Sequence, residues 1–203
     1  MRKTSLMMGV LAAVIAGAAF IYVDSRDAVA EKQAAIEEAW DQATAVIAAR
    51  SELVPPLADA FQRRGRLESR LLMNVVEARA ALENSPERPE KIAASINLTA
   101  ALAELLAAAE RDPALRSDPT LKRLQDQLAE AENRLAASRR RYNQAVQDYN
   151  TYIQLFPTNM VASLGGFTRE GAYFRTTEED RLAAPPLKFS QEPPAPEEED
   201  PAK

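Results

Sequence analysis

Leu121, Leu124, Leu128, Ala131, Leu135, Ser138, Tyr142, Ala145, Tyr149, Tyr152 and Phe156 recur at alternating steps of three and four. That spacing lines one face of an α-helix. At about 1.5 Å per residue the predicted helix is roughly 50 Å long, so it has to lie against other helices. Upstream, Val29, Ile36, Trp40, Ala43 and Ile47 mark a first amphipathic helix, interrupted by Pro55 and Pro56 because proline donates no backbone hydrogen bond. A second helix resumes through Leu57, Phe61, Arg64, Leu71, Val75, Ala78 and Leu82, and Asn84, Ser85, Pro86 and Pro89 end it. Ile92, Ile96, Thr99, Ala103 and Leu106, with Leu98, Leu102 and Leu105 beside them, carry a third that stops at Asp112 and Pro113. Asp118 and Pro119 then supply an N-cap and first position for the long helix. The pattern predicts an all-α fold, an antiparallel bundle of about four helices, with the first and third opposed to the second and fourth and Trp40 in the core.

Leu6 to Val23 is a run of eighteen residues without a charge, placed directly after Arg2 and Lys3. Eighteen lies at the short end of what crosses a bilayer as a helix. A cleaved secretory signal is the rival reading, with Ala16, Gly17 and Ala18 resembling a cleavage site. The run continues through Phe20, Ile21 and Tyr22, and the stretch after it can stay helical into Trp40, which favours an uncleaved anchor. Arg2 and Lys3 before the span, against a single Arg26 just after it, predict a cytoplasmic amino end and a body on the periplasmic or extracytoplasmic side of the inner membrane. With no Cys, a lipoprotein anchor is excluded.

Composition bounds the rest. A chain of 203 residues, 46% of them apolar, suffices for one domain with a real core. Beyond Pro157, Gly165, Gly166 and Gly171 break regularity while Phe167, Tyr173 and Phe174 seek burial, which predicts a strap over one end of the bundle. The closing stretch is acidic and proline-rich and cannot order itself. The expected division is a cytoplasmic terminus at 1–5, a transmembrane anchor at 6–23, the bundle at 24–157, the strap at 158–175 and a disordered tail at 176–203.

The chain has neither His nor Cys, which removes imidazole bases, thiol nucleophiles and the usual zinc sites. Gly165 and Gly166 lack phosphate-binding spacing. No catalytic residue, cofactor or metal is therefore expected, and no small-molecule substrate. A pI near 5.0 opposes nucleic acid. Two groups remain as candidate interaction residues. Asn143 and Asn150 share a stripe beside Tyr142 and Tyr149: they either meet a partner or clip the fold by satisfying its own backbone, and buried polar groups usually do the latter. Arg63, Arg64 and Arg66, with Arg139, Arg140 and Arg141, either touch anionic lipid or an acidic partner or stand as solvated faces paired with Glu.

The segment from Arg139 to Pro157 resembles the LemA family, whose members carry a YN…YN…FP pattern near the end of their last long helix. The matching residues here are Tyr142, Asn143, Tyr149, Asn150, Phe156 and Pro157. Trp40, ARSELVPPL from Ala49, EARAAL from Glu77, AERDPAL from Ala109, LQDQLAEAENR from Leu124 and PPLKF from Pro185 are similar to the family in the same order, so the resemblance spans residues 22–189. Two positions depart: Tyr22 is not followed by the usual Asn, and Pro56 stands in place of one. The resemblance implies a membrane-anchored helical bundle without assigned chemistry. The function expected is a non-enzymatic scaffold of the bacterial envelope, acting by homo-oligomerisation or by binding other envelope proteins. The alternatives are a protein that organises or remodels anionic membranes, and a secreted bundle if residues 1–18 are removed.

Overall fold

The computed structural model describes residues 2–64 and 69–174, with residues 2–6, 18 and 64 described by their backbone alone. Arg66, the end of the expected strap and the tail at 176–203 lie outside the described residues. Among the described residues there are helices and connecting turns and no strand. The elements are α1 (Arg2–Ser51), α2 (Val54–Arg64), α3 (Ser69–Glu83), α4 (Arg88–Arg111), α5 (Pro113–Arg116), α6 (Pro119–Tyr152) and α7 (Thr158–Gly165).

The apolar run and the first amphipathic helix are one element. α1 is 50 residues long without a break, about 75 Å from end to end. It stops at Ser51, a two-residue turn follows, and Pro55 and Pro56 fall in the first turn of α2, where a missing N–H costs least. Between α4 and α6 the connections are fixed by aspartates. Asp112 ends α4 and caps α5 by accepting from the Ala114 N–H at 2.8 Å. Asp118 caps α6, accepting from the Thr120 N–H at 2.7 Å and the Leu121 N–H at 3.3 Å.

Cross-helix contacts give the directions. Lys32 lies over the Tyr152 ring, Trp40 packs on Tyr142, and Arg50 pairs with Glu132. Rising numbers on α1 therefore meet falling numbers on α6, and the two helices are antiparallel over the length of the core. On α4, Arg88 meets Glu37 and Thr99 meets Arg50, so α4 runs with α1. α3 packs back on α4. The core threads Val29, Ile36, Ala43 and Ile47 of α1 through Leu98, Leu102 and Leu105 of α4 to Leu121, Leu128, Leu135, Tyr142 and Val146 of α6.

Four expectations need correction. The second helix is drawn from sequence as one element through residues 57–82, but the chain forms α2 and α3 as separate helices. The long helix ends at Tyr152 instead of Phe156, because the chain turns before Pro157; Phe156 leaves the seam and is 79% exposed. The first half of the strap is itself helical, as α7, and only residues 167–174 are irregular. Trp40 sits half-buried at the core's edge, against Tyr142 and Phe174, and not at its centre.

Candidate functional site

The irregular segment after α7 has no ladder of its own, so its backbone polar groups need partners elsewhere. α6 supplies them through residues seven apart, which share one stripe of a helix. Asn150 donates from Nδ2 to the Glu170 carbonyl at 2.8 Å and accepts from the Glu170 N–H at 2.9 Å. Asn143 does the same to Phe174, donating at 2.7 Å and accepting at 3.0 Å. An amide side chain carries one acceptor and one donor group side by side and so matches the N–H and C=O of a single residue, as one strand residue would match another. The tyrosine preceding each asparagine adds one bond more: Tyr142 donates to the Ala172 carbonyl and Tyr149 to the Thr168 carbonyl, each at 2.8 Å. The repeated Tyr-Asn pair is thus a clamp that holds residues 168–174 along α6.

Arg88 locks the clamp from outside. Its guanidinium bonds Glu37 of α1 at 2.6 Å and Glu170 of the clamped segment at 3.3 Å, and it stacks 4.9 Å from the Trp40 ring centre. Trp40, Tyr142 and Phe174 form an aromatic trio beneath it, with centroids 5.4 to 6.2 Å apart. Burial pushes the Tyr142 hydroxyl up to about 12. It also raises that of Tyr149, helped by the nearby Glu170 carboxylate.

A second polar cluster went unseen in the sequence. Arg50 is fully buried. It donates to the Ser95 carbonyl at 2.9 Å, to Thr99 Oγ1 at 2.5 Å and to Glu132 at 2.8 Å, joining α1, α4 and α6. Its Nε is buried without a partner among the described residues. The signal was present: Arg50 continues the Ala43–Ile47 seam at a step of three, on the face already assigned to the core.

The side chains described between residues 7 and 23 of α1 are all exposed. Met7, Met8, Val10, Leu11, Val14, Ile15 and Phe20 are each 59 to 73% exposed, and the most apolar window of the helix is 0% buried within the chain. α4 is also long and apolar enough to cross a membrane, but it is partly buried and contributes to the core.

With this geometry in place, comparison with known proteins decides the family. The LemA family profile matches residues 39–189. The chain belongs to the LemA family. Its YN…YN clamp lies inside the match, and most of α1 before Trp40, including the apolar run, lies before it. Two curated relatives, the magnetosome proteins MamQ 2 and MamQ 1 of Paramagnetospirillum magneticum (strain AMB-1), are each 39% identical over 75 residues. The aligned stretch covers 37% of this LemA chain and spans 27% of the length of each relative.

Among the described residues of the LemA bundle, Arg63 has its partner on its own helix and Arg139 has partners on α4. Arg63 is exposed and paired with Asp59 one turn back. Arg64 is described by backbone only and Arg66 lies outside the described residues. Arg139 turns inward, reaching Ser95 at 3.3 Å and Thr99 at 3.5 Å and covering the Phe174 ring. Arg140 and Arg141 turn outward and line an open groove of about 500 Å³ with Lys32, Ala35, Gln144 and Asp148. Among the described residues no group of three or more acidic, His or Cys side chains is gathered as a metal set.

Proposed function

We propose that this chain is a non-enzymatic scaffold of the bacterial envelope: one span at residues 6–23, the amino end cytoplasmic, and a rigid antiparallel bundle of about four helices on the extracytoplasmic side. In this reading α2 and α3 together count as one arm of the bundle, and residues 176–203 are a flexible acidic tether. The observation that carries it is the division of α1. Its first part is wholly uncovered apolar surface, its second part is core, and no break separates them. An apolar helix of that length is stable only in lipid or under a partner.

What the bundle offers is surface, not chemistry. Its buried polar residues are spent on the fold itself: Asn143 and Asn150 on the return segment, Arg50 on Ser95, Thr99 and Glu132. Confinement by the anchor raises the effective concentration of neighbouring copies without further contacts, which suits self-association or the gathering of other envelope proteins.

The arginine groups support the lipid-organising alternative less well. Arg141 adjoins Tyr142, which packs on Trp40, and Trp40 lies about 25 Å along α1 from Val23. A headgroup layer is only about 5 to 8 Å thick. In an upright rod Arg140 and Arg141 stand well clear of it.

Mass measurement of the complex purified with tagged full-length chain from membranes in mild detergent tests the scaffold. A homogeneous homo-oligomer, or a stoichiometric envelope partner, is the expected result. A strictly monomeric chain without partners contradicts it.

A further inference from the structure

From Tyr149 to Thr168 the chain has no charged side chain, twenty residues in a protein where 27% are charged and about five would be expected. Within this stretch Leu155, Phe156, Met160 and Leu164 are 55, 79, 59 and 77% exposed. Single exposed apolar residues are ordinary, but four large ones within ten positions make a patch. The small helix α7 explains their arrangement. Thr158, Val161 and Ala162 form its buried face, and α7 packs on α1, while Met160 and Leu164, four residues apart, share another face. α7 is thus apolar on the side turned to the protein and on the side turned away.

Its place along the rod identifies what lies on that second side. α6 runs antiparallel to α1 and ends where Tyr152 meets Lys32, so the chain beyond Tyr152 occupies the end of the bundle next to the apolar run. Ser25 and Val29 of α1 are 6 and 0% exposed, so the protein covers α1 to within two residues of Val23, where the run ends. Phe20, Ile21, Tyr22 and Val23, which precede this end of the bundle on α1, are 73, 48, 36 and 56% exposed, with the exposed Asp24, Arg26 and Asp27 following them.

We propose that Leu155, Phe156, Met160 and Leu164 are a second membrane contact, a collar that rests in the interfacial layer of the same bilayer that holds α1. The proposal rests on reading residues 6–23 as the span. Lipid is the occupant because the anchor pins this end of the rod at the bilayer surface, where an uncharged stretch loses no charge hydration on entering the interface. The collar fixes the tilt of the bundle, since a single helix leaves its body free to lean and a second contact does not.

The absence of native Cys permits a direct test. Four single-Cys variants, Phe156→Cys, Leu164→Cys, Met73→Cys and Val14→Cys, each carry an environment-sensitive fluorophore on the full chain, reconstituted in phosphatidylcholine vesicles with spin-labelled lipids. Met73 is an exposed apolar control, 60% exposed on α3. Arg79 of that helix bonds Ser51, about 42 Å along α1 from Val23. The expected result is blue-shifted emission at 156 and 164 quenched by spin labels near the headgroup, quenching at 14 only by deep labels, and none at 73. Solvent-like emission at 156 and 164 with position 14 still deep overturns the collar and leaves the anchor standing. Solvent-like emission at position 14 as well overturns both. Blue shift at 156 without lipid quenching, accompanied by self-quenching between labelled copies, assigns the patch to a second copy and also overturns the collar.

Discussion

Single side chains set the stability of the return segment, and the balance at Asn150 is the clearest. Asn150→Leu keeps the size of the side chain but strands the N–H and C=O of Glu170, and each unpaired group costs on the order of 1 to 3 kcal/mol where water cannot replace the partner. Part of that is recovered by peeling, so a loss of about 2 kcal/mol is expected, a fall of roughly 4 to 8 °C in the thermal midpoint of the full chain by calorimetry. An unchanged midpoint would show that the clamp carries no load. Tyr142 gives a pH dependence of definite sign. Its folded pKa is raised to about 12 from an unfolded value near 10. A raised pKa favours the protonated, folded form: the contribution is whole below about pH 10 and is lost as pH climbs through about 12, on the order of 2 kcal/mol in all. Trp40 is the sole tryptophan and touches both Tyr142 and Phe174, so its fluorescence should shift over that window and Tyr142→Phe should blunt the shift. At this scale the sequence was half legible. The Tyr-Asn stripe stood out because seven-residue spacing is visible in one dimension. Arg50 was marked only by its place on the Ala43–Ile47 seam, and the partners that satisfy it there, Ser95, Thr99 and Glu132, come from other helices.

Helices were the most legible level, since each start and stop has a local chemical cause. Asp118 before Pro119 caps α6, Asp112 before Pro113 closes α4, and Pro55 with Pro56 separates α1 from α2, all as their residue types require. The end of α6 was misplaced because Phe156 fits the seam by number while Pro157 beside it forbids the helix to continue. α7 was missed because its apolar residues face two ways and give no single stripe. Its C-terminus depends on Gly166, which takes a left-handed φ of 72°. Gly166→Ala meets no neighbour but forces a side chain into that region, at a cost of about 1 kcal/mol. Hydrogen exchange should then rise in α7 and residues 167–174 and leave the α1–α6 core unchanged. Equal loosening of both would mean that the return segment and core unfold as one unit.

The whole molecule is a rod whose two ends differ in kind. One end carries the uncharged stretch around α7 and continues into uncovered apolar helix; the other carries α2, α3, α5 and the start of α6. The all-helical class was legible from composition and periodicity. The unbroken passage of α1 from apolar run to core was foreseeable only as the absence of any proline between Leu6 and Ser51. That continuity is what the proposed anchor rests on, because an unbroken helix would carry the span directly into the bundle. The measurement that tests it most directly is the intact mass of the chain recovered from alkaline-washed membranes, compared with the soluble fraction. The whole 22.3 kDa chain is expected in the membrane pellet. A soluble product that begins after residue 18 would contradict it, and with it the scaffold and the collar.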